Sequence, residues 1–144
     1  MIPLYTIGYE AQPQAAVIDK LAAAGVALVI DVRAIAASRR AGFSKTVLGE
    51  SLAARGIAYR HLRALGTPKP GRDAARKGRT DEMRAIYDAH LAEPAAQAEL
   101  ATAAELTQIR ATALLCYEAD AAGCHRRIVA DRIRALTRCE VIDL

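Results

Sequence analysis

Polar and ionisable residues follow four short apolar runs, and their side chains are the ones in this sequence best suited to chemistry. The runs lead into Gly8-Tyr9-Glu10, Asp31-Val32-Arg33, His61-Leu62 and Cys116-Tyr117-Glu118. Carboxylates and imidazoles can transfer protons, and an arginine can grip phosphate or carboxylate through a bidentate fork. We predict the catalytic residues Glu118, Glu10, His61 and Cys124, and the ligand-binding residues Tyr9, Asp31, Arg33, Ser38, Arg39, Cys116, His125 and Arg126.

The segment Cys124-His125-Arg126 opens the last long helical pattern and has the features of an anion site. A helix start offers unpaired N–H groups and the positive end of the helix dipole, and Arg126 would add a guanidinium. The structural alternative is that these residues only cap the helix and cover its surface. In the same way, Glu118, Glu10 and Asp31 could simply neutralise nearby arginines.

The cysteines allow two further kinds of chemistry. Cys124 at a helix start, beside His125 and Arg126, is placed to be stabilised as a thiolate nucleophile. The spacing of Cys124 to Arg126 does not fit cysteine-dependent phosphatases. Asp31-Val32-Arg33 resembles the early motif of rhodanese-like sulfur transferases, but the active loop of those enzymes is missing here. Cys116, Cys124, His125 and His61 have metal-ligand types but no recurrent ligand spacing, so we predict neither a metal nor a cofactor.

Strands and helices alternate along the chain. We predict strands at Leu4–Gly8, Val26–Val32, Ile57–Leu62, Ala111–Cys116 and Val141–Leu144, and helices at Pro13–Gly25, Lys45–Arg55, Asp81–Ala92, Pro94–Gln108 and Cys124–Leu136. Ser44 is the expected cap of the second helix, and the unbroken apolar run before Asp31 indicates a central parallel strand. Residues Arg63–Thr80 are rich in Gly, Pro and basic side chains, which predicts a long, mobile loop covering the site.

This order of elements predicts an α/β fold with a single compact domain over residues 1–144. We expect a mostly parallel sheet of about five strands with helices on both faces, in a Rossmann-like three-layer arrangement. Ligands of such sheets bind beyond the carboxyl ends of the strands, which is where the polar residues are concentrated. No glycine-rich phosphate-binding or dinucleotide-binding motif is present, which disfavours ATP hydrolysis and NAD-dependent chemistry.

Composition and charge limit the cellular context and the partners. The chain has 144 residues, 53% of them hydrophobic, and lacks a long apolar run or a leader-like start, so we expect a cytoplasmic protein without a membrane partner. Three cysteines, an odd number, predict reduced thiols. Residues 33–84 hold thirteen Lys and Arg against four acids, a net charge of +9, which favours anionic partners unless it is only a solvated basic surface.

Five segments together resemble the family known as domain of unknown function 488 (DUF488). They are Thr6-Ile7-Gly8-Tyr9-Glu10, Asp31-Val32-Arg33, Ser38 to Lys45, Tyr59 to Pro68, and Cys116 to Asp120 with Cys124-His125-Arg126. The resemblance implies a compact α/β fold with a shared polar site, and it brings no reaction with it. The chain departs from the family pattern after Arg33, where members usually place a proline and this chain has Ile35-Ala36-Ala37.

Three functions remain open from the sequence. The first is an enzyme or binding protein for a small phosphorylated or nucleotide-like anion, bound by Arg33 and Arg126. The second is a nucleic-acid-binding or regulatory module that uses the basic segment 33–84. The third is a thiol-based sulfur-transfer or redox protein that uses Cys116 or Cys124. The sequence does not determine an oligomeric state.

Overall fold

The computed structural model describes residues 1–144 and contains one five-stranded, fully parallel sheet. The strands are β1 (Leu4–Gly8), β2 (Leu28–Asp31), β3 (Ala58–His61), β4 (Thr112–Cys116) and β5 (Val141–Asp143), in the spatial order β3-β2-β4-β1-β5. The helices are α1 (Gln14–Ala23), α2 (Lys45–Ala53), α3 (Lys69–Arg76), α4 (Thr80–Leu91), α5 (Pro94–Ile109) and α6 (His125–Thr137). Short 3₁₀ turns occupy Arg63–Leu65 and Ala121–Gly123.

Helices cover both faces of the sheet, which confirms the predicted three-layer α/β fold. On one face α3 to α6 pack through residues such as Met83, Leu100 and Val129, and on the other α1 and α2 pack through Leu21 and Leu48. Every residue of β2 and of β4 is buried, as expected for interior strands covered on both sides. Each fully buried leucine contributes roughly 1.5–3 kcal/mol of hydrophobic stabilisation.

The strand register brings the predicted site residues to one edge of the sheet. Gly8 pairs with Cys116, while Asp31 pairs with Leu115 on one side and with His61 on the other. All strands are parallel, so these residues lie at the carboxyl ends of four neighbouring strands. The sheet topology therefore gathers them at the edge where parallel sheets bind ligands.

The prediction of a long loop at Arg63–Thr80 is wrong, because most of this segment is folded. It forms the first 3₁₀ turn and then α3, and Leu65 is fully buried in the core. Pro70 lies in the first turn of α3, where the missing N–H of proline costs no hydrogen bond. Tyr87 of α4 fixes the segment by donating its hydroxyl to the Leu65 carbonyl oxygen at 2.5 Å.

Ser44 precedes α2 as predicted, but its side chain does not cap the helix. The Ser44 hydroxyl instead accepts from the Ser38 backbone N–H at 3.0 Å and donates to the Ser38 carbonyl oxygen at 3.2 Å. The competing partner is available because the chain turns back on itself between Ser38 and Ser44.

None of the helices is both long enough and apolar enough to cross a membrane.

Candidate functional site

Arg33 lies at the end of β2 in a buried, fully paired environment, which we call the Arg33 cluster: Arg33 with Asp31, Tyr9, Phe43 and Tyr59. Its Nε and Nη2 atoms donate to the Asp31 carboxylate at 2.6–3.1 Å, and its Nη1 donates to the Tyr9 hydroxyl and the Phe43 carbonyl oxygen. Tyr9 stacks on Phe43 with 4.2 Å between ring centroids. The cluster therefore holds a cation and an anion that neutralise each other inside the protein.

Burial and the Asp31 carboxylate set the ionisation of this cluster. Burial by itself would lower the pKa of the Arg33 guanidinium, but the hydrogen bonds and charge of Asp31 raise it above its ordinary value. Burial also raises the pKa of the Tyr59 hydroxyl, and the charge of Asp31, to which that hydroxyl donates, raises it further. His61 Nε2 lies 2.6 Å from the Arg33 carbonyl oxygen, so this nitrogen carries the proton.

Arg126 lies at the start of α6 in a second environment, which we call the Arg126 cluster: Arg126 with Cys116, Glu118 and Cys124. Its side chain is 1% exposed. Nη1 donates to Cys116 Sγ at 3.0 Å and to the Glu118 carbonyl oxygen, and Nη2 donates to the Ala119 carbonyl oxygen at 3.2 Å. Nε is buried without a partner, and burial lowers the pKa of the guanidinium.

The Arg126 cluster also contains the cysteine pair. The Sγ atoms of Cys116 and Cys124 are in contact, although their Cα atoms lie 7.6 Å apart, beyond the usual disulfide range of about 4.4–6.8 Å. The expectation of reduced thiols stays a prediction, but the structure separates the cysteines into a contacting pair and a lone, buried Cys139. Spacing could not reveal the pair, because its members come from a strand end and a helix start that meet only after the intervening connection folds back.

The connection between β4 and α6, residues 117–123, is tied to the sheet edge. The Ala119 backbone N–H donates to the Glu10 carboxylate at 3.1 Å, and the Glu10 N–H donates to the Tyr117 carbonyl oxygen at 2.8 Å. Gly8 makes this close approach possible, because a Cβ atom there would lie 1.7 Å from the Glu118 carbonyl oxygen. Burial raises the pKa of the Glu118 carboxyl group, whose Oε2 lies 3.4 Å from Cys116 Sγ.

His125 links the Arg126 cluster to the core. Its Nε2 donates to the Val32 carbonyl oxygen at 2.6 Å, which leaves the lone pair on Nδ1, 3.6 Å from Cys124 Sγ. Burial lowers the pKa of His125 to about 4, so the ring is neutral near pH 7. The Tyr87 ring packs edge-on against this imidazole, with 5.3 Å between centroids.

The predicted site residues divide between these two clusters, with two exceptions. Tyr9, Asp31 and Arg33 lie in the Arg33 cluster, where His61 contacts the Arg33 backbone. Cys116, Glu118, Cys124 and Arg126 form the Arg126 cluster, next to which His125 contacts Cys124 and Glu10 accepts from the Ala119 backbone N–H. Ser38 and Arg39 lie apart, on the 34–44 segment, where Arg39 is exposed and the Ser38 hydroxyl accepts from the Arg40 N–H at 3.0 Å.

Sequence reasoning missed three features of this region. From the sequence, Tyr59 and Tyr87 are assigned only to a strand and a helix, although a tyrosine hydroxyl that becomes buried needs a polar partner, such as Asp31 for Tyr59. A cavity of about 490 Å³ was also missed. It is lined by Arg63, Arg72, His90 and Glu99 together with Ala34, Ile35, Ala64, Gly66, Thr67 and Pro68.

Comparison with known proteins gives one result. Searches of curated proteins and of solved structures found no match to this chain. A family model described as "Domain of unknown function DUF488" matches residues 13–133, a span that contains β2 to β4, the cysteine pair and Arg126. Most of the 144-residue chain is matched, so the chain belongs to the DUF488 family, as its five motifs predicted.

Proposed function

We propose that this protein carries out thiol–disulfide exchange through Cys116 and Cys124. The observation that supports the proposal is the contact of the two Sγ atoms, with the Arg126 guanidinium 3.0 Å from one of them. A nearby cation and a helix start both stabilise a thiolate, which is the reactive form in exchange. Cys124 Sγ accepts from the Arg126 backbone N–H at 3.5 Å, so the helix start acts on the second sulfur.

The exchange would use a disulfide of a second molecule as the oxidant. One cysteine thiolate attacks a sulfur of the partner disulfide, the partner S–S bond breaks, and one partner thiolate leaves and takes up a proton. The other cysteine then attacks the mixed disulfide and releases the second partner thiol. This second attack forms the Cys116–Cys124 bond as the mixed disulfide breaks, and two electrons pass from the protein to the partner.

His125 and Glu118 are placed to handle the protons of this reaction. The lone pair on His125 Nδ1 lies 3.6 Å from Cys124 Sγ, and Glu118 Oε2 lies 3.4 Å from Cys116 Sγ. Each cysteine thus has one acceptor of its own for the thiol proton. Both sulfurs are almost fully buried, so we expect small disulfides to react faster than disulfides in folded proteins.

A glutathione redox titration tests the proposal. Reduced protein is equilibrated with mixtures of reduced and oxidised glutathione, quenched with acid, and its free thiols are counted after unfolding. We expect a single two-electron transition that removes the Cys116 and Cys124 thiols and leaves Cys139 free. The Cys139→Ser variant is the matched control and should titrate like the wild type. Independent loss of single thiols as mixed disulfides with glutathione would reject the proposal.

We propose anion binding as a second function, located at the cavity lined by Arg63 and Arg72. Arg33 and Arg126 donate to several protein acceptors, whereas the Arg63 side chain donates to none and Arg72 donates only to the Thr67 carbonyl oxygen. Two guanidinium groups beside one cavity favour phosphate or carboxylate groups. The cavity adjoins Ala34, directly after the Arg33 cluster, so it lies beside the sheet edge rather than at it.

Thermal unfolding in the presence of inorganic phosphate tests this second function. Phosphate should raise the melting temperature of the wild type and of Arg84→Ala, a control that removes an exposed arginine outside the cavity. Arg63→Ala and Arg72→Ala should lose most of this shift. An unchanged shift in both cavity variants would place the anion elsewhere.

A further inference from the structure

We propose that the reduced forms of Cys116 and Cys124, together with Glu118, bind a soft divalent cation of the Zn²⁺ class. The inference shares two cysteines with the proposed function but does not depend on exchange taking place. Their two Sγ atoms and one Glu118 carboxylate oxygen all lie within 4.8 Å of one another. No metal-binding sequence motif predicts the site, because its three ligands come from a strand end, the residue two positions later and a helix start.

The distances fit one shared ion. With Zn–S near 2.3 Å and Zn–O near 2.1 Å, sulfur and oxygen ligands of a tetrahedral ion lie about 3.6 Å apart. Cys116 Sγ and Glu118 Oε2 are 3.4 Å apart before any adjustment. The Cα atoms of the cysteines are 7.6 Å apart, above the usual disulfide range of about 4.4–6.8 Å, so the backbone leaves the two reduced sulfurs room to separate around an ion.

The charges of the site favour a divalent ion. Two thiolates and one carboxylate bring three negative charges into a buried region, which is costly without compensation. Arg126 supplies one positive charge 3.0 Å from Cys116 Sγ, and a divalent cation supplies the other two. The loaded site is therefore electrically neutral, whereas a monovalent ion would leave it negative.

The surroundings of the three ligands resemble the outer shell of a thiolate metal site. Arg126 donates to both sulfurs, through Nη1 to Cys116 and through its backbone N–H to Cys124. Such N–H contacts orient ligands and moderate thiolate charge. Thiolates select Zn²⁺ and other soft ions over Mg²⁺ and Ca²⁺, which prefer oxygen ligands. The metal-bound form and the disulfide form exclude each other, so oxidation must release the ion.

Co²⁺ and Zn²⁺ binding to the reduced full-length protein tests the inference. Co²⁺ should produce thiolate-to-metal charge-transfer absorption at one ion per chain, and Zn²⁺ should remove this absorption by displacement. Zn²⁺ affinity is then measured by competition with a chromophoric chelator. Cys139→Ser and Glu105→Gln are the matched controls: one removes a cysteine and the other an exposed carboxylate outside the three-ligand set, and both should bind like the wild type.

The variants of the ligands decide the outcome. Cys116→Ser and Cys124→Ser should each weaken Zn²⁺ binding by more than the ~10–100-fold loss typical of an outer-shell partner. Glu118→Gln should keep the charge-transfer absorption but bind Zn²⁺ roughly tenfold more weakly, since an amide oxygen is neutral. Wild-type affinity in a cysteine variant or in Glu118→Gln, or loss of binding in Cys139→Ser, would overturn the site.

The same samples separate this inference from the proposed function. A protein that binds Zn²⁺ but shows no two-electron glutathione transition retains the metal site and loses the exchange function. A protein that forms the Cys116–Cys124 bond reversibly but binds no Zn²⁺ when reduced retains exchange and loses the metal site. If both hold, addition of oxidised glutathione to the loaded protein should release one Zn²⁺ for each disulfide formed.

Discussion

The Arg33 cluster and the Arg126 cluster each bury one arginine at the same sheet edge, but they treat its charge differently. Arg33 has a carboxylate of its own, because Asp31 accepts from two of its three nitrogens and is itself 0% exposed. Arg126 has only a sulfur atom and two backbone carbonyl oxygens as acceptors, and its Nε has none. A carboxylate that accepts directly from the guanidinium is present in one cluster and missing in the other, where Glu118 acts on Arg126 only through space.

This difference indicates that Arg33 is structural, whereas Arg126 is suited to a neighbouring group whose charge changes. In the Arg33 cluster, charge is balanced within the folded chain, so nothing further is required from a ligand. In the Arg126 cluster, the guanidinium faces a cysteine that can be neutral, ionised or bonded to Cys124. A guanidinium without a hydrogen-bonded carboxylate can then stabilise a thiolate of the reduced pair, which is the basis of our proposed function.

The largest expected effect comes from removing the counterion of Arg33. Asp31→Asn should lower the free energy of unfolding by about 3–5 kcal/mol, because it leaves a buried guanidinium without its paired charge. Denaturant unfolding measures the change. Asp19→Asn is the control: it breaks an exposed ion pair with Arg55 and should cost no more than about 1 kcal/mol. Equal losses in the two variants would mean that Arg33 needs no dedicated counterion.

A slightly smaller effect should follow from crowding the Arg126 cluster. Gly8→Ala puts a Cβ atom against the Glu118 carbonyl oxygen and 2.9 Å from Arg126 Nη1, so the 117–123 connection must shift. We expect a loss of about 3 kcal/mol in thermal or denaturant unfolding. Gly123→Ala, in the same connection, meets no atom within 4 Å and should change stability by less than about 0.5 kcal/mol. Similar values for both would contradict the tight approach.

Loss of one hydrogen bond in the Arg33 cluster should have a moderate effect. Tyr59→Phe removes the hydroxyl that donates to Asp31, a hydrogen bond to a charged group, and should cost about 1.5 kcal/mol. Tyr5→Phe is a suitable control, because the hydroxyl of the half-buried Tyr5 makes no hydrogen bond within the protein. Coinciding unfolding curves of the two variants would show that the Tyr59–Asp31 hydrogen bond does not stabilise the fold.

Alternating apolar runs and glycine-ended helical patterns were sufficient to predict the parallel sheet and the edge at which Asp31, Cys116 and Arg126 meet. Pairing inside the site was not predictable, because it depends on how a short connection folds. Cys124 could be placed at a helix start, but its contact with Cys116 depends on Arg126 and Glu10 holding residues 117–123. The wrong prediction at Arg63–Thr80 has a different cause. Its prolines and glycines indicated a loop, but burial of Leu65 in the core outweighed that local preference.

The central claim is that the Arg126 cluster favours a thiolate, and the rate of alkylation of the reduced protein tests it most directly. Cys116, Cys124 and Cys139 are nearly equally buried, at 1%, 3% and 5% exposed, so differences in rate reflect charge more than access. After brief exposure to iodoacetamide, mass spectrometry should find the Cys116 or Cys124 peptide labelled roughly tenfold faster than Cys139, and Arg126→Gln should remove most of this difference. Labelling of all three cysteines at the same rate in the wild type would contradict the claim.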